Sequence, residues 1–358
     1  MKTWAVPVGV LVAGVAVACG SGGSSPSSAG GDGGSSGASS SGSGSGGTSS
    51  GGTASSSGAG NGEGGSGSSS GASDGGSSSG ASDGGSSSGA TDGGSSSGGV
   101  DPTHLPTASG ACPTFANGVV TITAGSATIQ AQTWMGTTGG GPLILYWHAT
   151  GSNATLEVPA ALDTAAVTAA GGMIVGFEAS TRTGTPTGNT GDDVWYTSDV
   201  AFADQAVACA IAQVHVDPQH IHAAGYSAGA LQTVYMWFAR SGYVASVISY
   251  SGGDVIIDEA AFQDSAHAGA AIVAHGGSGV DTYGTTDFAA ASASWETQIT
   301  QAGALGVDCN DGMAHVYVPR LSNLKPVSLP FFQAHPFGVK PEPYTTLPSG
   351  FPSYCTID

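Results

Sequence analysis

A run of small residues fills most of the first hundred positions of this 358-residue chain, and it decides where a fold can form. Between residues 20 and 100 nearly every residue is Gly, Ser, Ala or Thr. A segment without large apolar side chains cannot offset the entropy that it loses on ordering. We therefore expect residues 20–105 to form a disordered tether and residues 106–358 to form one domain with its own core.

A short repeat lies inside this tether. The string GASDGGSSS begins at residues 71 and 80, and GATDGGSSS begins at residue 89. Calcium-binding β-rolls also repeat, but each of their units carries a large apolar residue that builds a core, and these units carry none. The repeat therefore indicates a flexible Gly/Ser coil with a root-mean-square span on the order of 50 Å.

The first 19 residues predict an exported lipoprotein. One Lys precedes an apolar run that is too short to span a membrane, and the run ends in AVAC. Small residues before a cysteine resemble a bacterial lipobox, in which Cys19 would be lipidated and become the mature N-terminus. The alternative is an ordinary signal peptide that is cut nearby. The tether directly after Cys19 favours the lipid anchor, because an anchored domain needs a spacer.

Export to an oxidising compartment would pair the other four cysteines in two disulfides. We expect a bond between Cys112 and Cys355, which would tie the two ends of the domain together. The second bond would join Cys209 to Cys309 and brace a helix against the loop of a candidate catalytic histidine.

Two kinds of binding function are disfavoured. The formal net charge of −19, which reflects only six Lys and Arg, makes nucleic acid and anionic lipid poor partners. No CxxC or Cys/His pattern for structural zinc is present in the sequence. The histidines at 215, 220 and 222 are an alternative metal site, since the last two face the same way along a strand. A strand buried in a parallel sheet leaves little room for an ion, so we expect no metal and no cofactor.

Short apolar runs alternate with helical patterns along the domain, and this order predicts the fold. Residues 119–134 predict a hairpin, and five further runs predict buried strands. Strand, helix, strand in sequence implies parallel strands joined by crossover helices. We expect a three-layer α/β fold with a mostly parallel sheet and helices on both faces. The buried runs are residues 142–148, 171–177, 219–225, 244–252 and 269–277, and the helical patterns are residues 198–214, 230–240 and 286–302.

The string GYSAG at residues 225–229 has the context of a nucleophile elbow. It lies between a predicted strand that ends near Ala224 and a helix from about Ala230 to Arg240. Such an elbow needs small neighbours around the serine because the turn is very sharp, and it exposes the hydroxyl above the sheet. A GxSxG string is weak by itself in a chain rich in Gly and Ser. Here the strand and helix stand on the correct sides, which favours Ser227 as a nucleophile over a serine in a tight turn.

A serine nucleophile needs a histidine base and an acid that orients the histidine, and in α/β-hydrolases these follow in the order Ser, Asp, His. Asp281 lies in the loop after a buried strand, and His315 lies in a glycine-containing loop after the next helix and strand. Order and spacing both fit. Asp254 and Asp287 are alternatives for the acid, and His335 is the alternative for the base.

An oxyanion hole needs two backbone N–H groups that point at the developing negative charge. One comes from the residue after the nucleophile, here Ala228. The other comes from the loop that follows the strand PLILYW, where the amide of Thr150 is our candidate.

Four stretches together resemble the extracellular polyhydroxybutyrate depolymerase and feruloyl esterase group of α/β-hydrolases. They are PLILYWHATGS, VDPQHIHAAGYSAGAL, HGGSGVDTYG and the tail FFQAHPFG followed by PSYC. The resemblance covers most of residues 110–356, and it implies hydrolysis of carboxylic esters on polymers without a cofactor. It places Ser227, Asp281 and His315 at the triad positions. The chain departs from the group at His148-Ala149, where His-Gly is usual, and at DGMAH, where a glycine run is usual.

Substrate choice is predicted to depend on a long polar loop, residues 178–197, because such loops at the carboxyl end of a parallel sheet usually shape the pocket. Trp195 and Tyr196 close this loop. Together with Trp147 and Tyr226, they would form an aromatic wall suited to a ring or an apolar acyl chain. The alternative is that Trp195 is a core anchor for the following helix.

These features predict an exported serine ester hydrolase. Feruloylated or acetylated polysaccharide, polyhydroxyalkanoate and small soluble esters are all open as substrates, and a lipid anchor at Cys19 would make the membrane a partner. The alternative from a different class is a non-catalytic surface-binding protein that keeps a decayed hydrolase site. Retention of Ser, Asp and His in the right order favours the enzyme.

Overall fold

The computed structural model describes residues 100–180, 184–188, 194–255 and 261–358. The predicted signal peptide, Cys19 and most of the predicted tether lie outside the described residues. The backbone N–H groups of Thr103 and His104 both donate to the carbonyl oxygen of Gly242, at 3.0 and 3.2 Å. Residues 103 and 104, which belong to the predicted tether, thus contact the folded part of the chain.

Most strands of the described residues join one nine-stranded sheet. Eleven strands are present in these residues: β1 Gly118–Ala124, β2 Ala127–Met135, β3 Leu143–Trp147, β4 Met173–Phe177, β5 Ile221–Tyr226, β6 Ser246–Tyr250, β7 Ala270–His275, β8 Thr282–Tyr283, β9 Thr286–Asp287, β10 Gly306–Asn310 and β11 Cys355–Ile357. The sheet order is β1-β2-β4-β3-β5-β6-β7-β10-β11, and β8 and β9 form a separate short ladder.

The centre of the sheet is parallel and its edges are antiparallel. Strands β4, β3, β5, β6, β7 and β10 run parallel, whereas β1, β2 and β11 are antiparallel additions. Every residue of β3 to β7 is buried, as expected for strands that are covered on both faces. The predicted hairpin and the five predicted buried strands are all confirmed.

Helices cover both faces of this sheet. In the described residues they are α1 Ala154–Ala161, α2 Thr164–Ala169, α3 Val200–Val214, α4 Ala228–Ala239, α5 Phe288–Gln301 and α6 Tyr317–Ala334. A 3₁₀ turn, Thr197–Asp199, leads into α3. None of these helices has both the length and the apolar character that crossing a membrane requires.

Alternating side chains of β3 show how the three layers form. Leu143, Leu145 and Trp147 join a core cluster with α3, α4 and α5, whereas Ile144 and Tyr146 join a second cluster with α1, α2 and α6. Alternation along a strand places successive side chains on opposite faces, so one buried strand supplies both cores. The predicted three-layer α/β fold is confirmed.

Helix α6 was missed by the sequence analysis. It contains Pro326 and Pro330, which usually mark the end of a helical pattern because proline lacks an N–H and its ring clashes with the preceding turn. Burial of its apolar side chains against the second core cluster, with Leu321 and Phe331 completely buried, stabilises the helix despite both prolines.

The predicted disulfide pairing is wrong, although all four cysteines are bonded. The structure joins Cys112 to Cys209 and Cys309 to Cys355, and it contains neither a Cys112–Cys355 nor a Cys209–Cys309 bond. Strand β11 is the edge strand and pairs with β10, and the register sets Cys355 directly opposite Cys309. A three-residue edge strand after an irregular segment has no periodic signal, so its pairing was not visible in the sequence.

Candidate active site

Ser227 lies in a sharp turn between β5 and α4. Its backbone has φ 55° and ψ −120°, a region that non-glycine residues rarely occupy and that commonly marks functional sites. A Cβ atom at Gly225 would collide with the carbonyl oxygen of Gly229, and one at Gly229 would collide with that of Trp147. The backbone N–H of Ser227 donates to the carbonyl oxygen of Tyr250 at 2.8 Å. Close packing of strand, turn and helix therefore requires both glycines and holds the serine in place.

His315 connects this serine to Asp281. Its Nε2 lies 3.0 Å from Ser227 Oγ, and its Nδ1 lies 2.7 Å from Asp281 Oδ1. The imidazole is stacked between the rings of Tyr226 and Phe288, with centroid distances of 5.1 and 4.5 Å. Two hydrogen bonds and two stacked rings fix its orientation, with Nδ1–H donating to the carboxylate and Nε2 left to accept from the serine hydroxyl.

Asp281 is a fully buried carboxylate with a complete set of donors. Besides His315, its Oδ2 accepts from Ser251 Oγ at 3.1 Å, the Gly276 N–H at 2.8 Å and Arg320 Nη1 at 2.9 Å. Burial alone would raise the pKa of this group. The hydrogen bond from His315 and the positive charge of Arg320 outweigh that effect, so the pKa of Asp281 is lowered and the group stays ionised.

The three alternative candidates serve other purposes. Asp254 accepts from Gln298 Nε2 at 2.6 Å, and Asp287 caps the N-terminus of α5. His335, at the end of α6, lies 2.9 Å from Glu342 through its Nε2. The structure therefore brings together Ser227 and the two residues that chain order had favoured.

The loop after β3 is held by contacts on two sides. Trp195 Nε1 donates to the carbonyl oxygen of His148 at 2.8 Å. The N–H of Ala149 donates to both oxygens of the Glu157 carboxyl group, at 3.1 and 3.3 Å. Thr150 follows directly. This loop and the turn at Ser227 follow neighbouring parallel strands, so they meet at the same edge of the sheet.

Glu157 is a buried acid that the sequence analysis did not select. It lies in α1 with no exposed surface, and it accepts from Tyr146 Oη at 3.0 Å as well as from Ala149. Burial raises the pKa of Glu157 to about 7, because no cation compensates for the lost hydration. In the sequence, Glu157 is recognisable only as a single acidic residue in the apolar stretch that follows Thr150.

Of the three histidines that were considered as metal ligands, His215 is exposed, His220 is half-buried and His222 is packed in the core. The imidazole of His222 is buried, lies 2.9 Å from Ser246 Oγ and stacks on Phe332. Burial lowers the pKa of His222 well below its usual value, so the ring is neutral. Within the described ranges a different group has donor atoms close enough to share an ion, and it consists of His275, Glu296 and Asp308.

The predicted aromatic wall is wrong for both tryptophans. Trp147 and Trp195 are 0 and 1% exposed, and neither offers a face to a substrate. Trp147 stacks on Phe177 at 4.2 Å and meets Trp195 edge to face at 4.9 Å. Tyr226 is also buried, with its ring against the imidazole described above. Trp195 anchors the loop after β3 through its bond to His148, which agrees with the alternative of a core anchor.

Solved structures of pOPH and sOPH are similar to this chain in fold. Native sOPH is 17% identical with a TM-score of 0.53, and the match covers 69% of this chain and 96% of that chain. A pOPH variant in complex with pNPB is 13% identical with a TM-score of 0.56, over the same shares of the two chains. No family model matches the sequence, and no curated protein matches it. The mostly parallel sheet and the serine elbow establish the predicted α/β-hydrolase fold.

The buried carboxyl group of Glu157 should make the stability of the folded domain depend on pH. A raised pKa means that the folded state holds this proton more tightly than the unfolded state does. The stabilisation is therefore complete below about pH 4.5 and is lost as the pH rises toward 7, by roughly 3 kcal/mol. Between pH 5 and 8 the melting temperature of Glu157→Gln should fall less than that of the wild type. Parallel curves in differential scanning calorimetry would contradict this assignment.

Proposed function

We propose that this protein is an exported serine hydrolase that cleaves carboxylic esters attached to polymers. The observation that carries the proposal is the pair of hydrogen bonds that links Ser227 Oγ to His315 and His315 to Asp281. These residues lie at the carboxyl ends of the parallel strands. A nucleophile, a base and a charged group that orients the base are the parts that acyl transfer needs.

The first half of the proposed reaction forms an acyl-enzyme. His315 Nε2 removes the proton from Ser227 Oγ as this oxygen attacks the carbonyl carbon of the ester. The Asp281 carboxylate keeps the proton on Nδ1 and stabilises the imidazolium that forms. When the tetrahedral intermediate collapses, the same imidazolium gives its proton to the departing alcohol.

The second half returns the enzyme to its resting state. A water molecule attacks the acyl carbon while His315 takes its proton. Collapse of the second tetrahedral intermediate releases the carboxylic acid and returns a proton to Ser227 Oγ.

Backbone amides supply the oxyanion hole in this proposal. Ala228 is the first residue of α4, and amides at a helix N-terminus lack acceptors within the helix and carry a partial positive charge. The second amide is that of Thr150. Glu157 and Trp195 hold the preceding residues of that loop, so the amide is placed before substrate arrives and needs no reorganisation.

Exposed apolar side chains next to the two catalytic loops support an apolar polymer as substrate. Val280 and Tyr283 flank Asp281, and Val316 and Val318 follow His315, each more than a third exposed. Apolar groups grouped in this way commonly mark a binding surface. Polyhydroxyalkanoate is such an apolar polymer. In feruloylated or acetylated polysaccharide, the second polymer that we propose, only the ester substituents are apolar, and they would contact this surface.

The proposed location is outside the cytoplasm. Two disulfides in the described residues indicate an oxidising compartment. We propose in addition that Cys19 carries a lipid and that the Gly/Ser tether lets the domain reach polymer at a distance from the membrane.

Removal of the proposed nucleophile or base should abolish ester hydrolysis. Ser227→Ala and His315→Ala should each lower kcat by roughly a thousandfold or more, and the double variant should be no worse, because the residues act as one unit. Release of p-nitrophenol from its butyrate ester measures this, with methyl ferulate and polyhydroxybutyrate as further substrates.

Two variants control for general damage. Ser292→Ala removes a buried serine hydroxyl that has no hydrogen-bond partner in the described structure, and His335→Gln removes the alternative base. Both should stay active. Full activity in Ser227→Ala would contradict the proposed mechanism, and no hydrolysis by the wild type would favour a non-catalytic binding protein.

Membrane attachment should depend on Cys19. Cys19→Ser should release the exported protein from the membrane fraction, because acyl chains on this cysteine give stable anchoring and the variant cannot carry them. Cell fractionation and mass spectrometry of the mature N-terminus measure this. A wild-type protein that is unlipidated and free of the membrane would overturn the lipobox assignment.

A further inference from the structure

Arg320 lies in the first turns of α6 and is buried, with 1% of its surface exposed. A buried guanidinium loses much of its hydration, so it is retained only where partners replace the lost water. Its Nη1 lies 2.9 Å from Asp281 Oδ2. Its Nε and Nη2 each lie 2.8 Å from a different oxygen of Asp311. This side chain therefore contacts two carboxylates at once.

These two carboxylates belong to different loops. Asp281 follows β7, and Asp311 follows β10 and leads to His315. Arg320 Nη2 also donates to the carbonyl oxygen of Ala314 at 3.2 Å, directly before the histidine. One guanidinium thus connects the loop of the acid to the loop of the base.

The two loops also touch at a glycine. A Cβ atom at Gly276 would collide with the carbonyl oxygen of Met313 and would come within 2.7 Å of Arg320 Nη2. The N–H of Gly276 donates to Asp281 Oδ2 at 2.8 Å. Because Gly276 has no side chain, the loop that carries His315 can pack directly against the loop that carries Asp281. The guanidinium of Arg320 bonds to both loops beside this contact.

We propose that Arg320 is a positioning residue, which sets the distance between Asp281 and His315 by holding their loops in one arrangement. The inference rests on the proposed hydrolase function, because it assigns a role within the same triad. Arg320 itself does not touch Ser227 and takes no part in proton transfer.

Only arginine fits this arrangement. Asp311 receives two parallel bonds from Nε and Nη2, while Nη1 remains for Asp281. Lysine has a single ammonium group and cannot reproduce this planar fork. Arg320→Lys therefore keeps the positive charge near Asp281 and removes the defined geometry.

The charge of Arg320 makes a second, separable contribution. It lowers the pKa of Asp281 against the effect of burial. The other titratable groups that face this pair are His315 and Asp311, Tyr226 on β5 and Tyr354 in the C-terminal segment. Without the cation, protonation of Asp281 becomes easier, so the acid limb of the activity profile should move to higher pH.

The test compares two variants with the wild type. One is Arg320→Lys, and the other is a double variant that combines Arg320→Met and Asp311→Asn. The double variant removes the cation together with one of its two partner carboxylates, which limits the buried uncompensated charge if a single substitution does not fold. Arg240→Met is the matched control, because Arg240 makes a similar two-bond pair with Asp204 outside the triad, at 2.7 Å for both bonds.

Steady-state kinetics on p-nitrophenyl butyrate between pH 5 and 9 supply the readout. Arg320→Lys should lower kcat roughly ten- to a hundredfold while KM changes less than about twofold, since small misplacements of catalytic groups have effects of this size. The double variant should lose at least as much kcat and should also move its acid limb to higher pH, because the charge of Arg320 lowers the pKa of Asp281. Arg240→Met should lower the melting temperature and leave kcat and the pH profile unchanged.

The outcomes separate this inference from the proposed function. Full kcat and an unchanged profile in folded Arg320→Lys and in the double variant would overturn the positioning role while wild-type activity upholds the hydrolase. An equal kcat loss in Arg240→Met would also overturn it, because general destabilisation would then explain the effect. An inactive wild type would overturn the proposed function and this inference together.

Discussion

The buried charge on Asp281 is the constraint on which the arrangement of the site depends. A carboxylate without hydration stays ionised only if donors surround it. Here the donors come from Ser251 after β6, Gly276 after β7, His315 after β10 and Arg320 on α6. The hydrogen bonds to this one carboxylate therefore hold three loops and a helix together at the carboxyl edge of the sheet.

Two buried acids next to the site have opposite properties. Asp281 has a guanidinium partner, and its pKa is lowered. Glu157 has only neutral donors, the side chains of Tyr146 and Ser152 and the Ala149 N–H, and burial raises its pKa to about 7. In the proposed mechanism the first acid must be charged to stabilise an imidazolium, whereas the second needs only to hold a loop. The local partners of each carboxyl group set this difference.

The sequence predicted those parts of the fold that have a periodic or ordered signal. Buried strands are recognisable as short apolar runs, and Ser227, Asp281 and His315 follow an order that is fixed by the connection of strands and helices. Helix α6 was hidden by Pro326 and Pro330, since tertiary packing outweighed local preference.

Contacts between distant segments were not predictable in this way. Disulfide pairing depends on the register of a three-residue edge strand, and the burial of Trp195 depends on where a long loop folds back. Arg320 stands five residues after His315 without any pattern that marks it, because its role comes from residues on two loops that are far apart in sequence.

Covalent labelling of the wild-type protein tests the central claim most directly. A fluorophosphonate ester loses fluoride to an activated serine and leaves a stable phosphonyl group on its oxygen. Tandem mass spectrometry of the digested protein should then find one adduct, on Ser227, and ester hydrolysis should stop as the adduct forms. An adduct on a different residue, or continued hydrolysis by protein fully labelled at Ser227, would contradict the account.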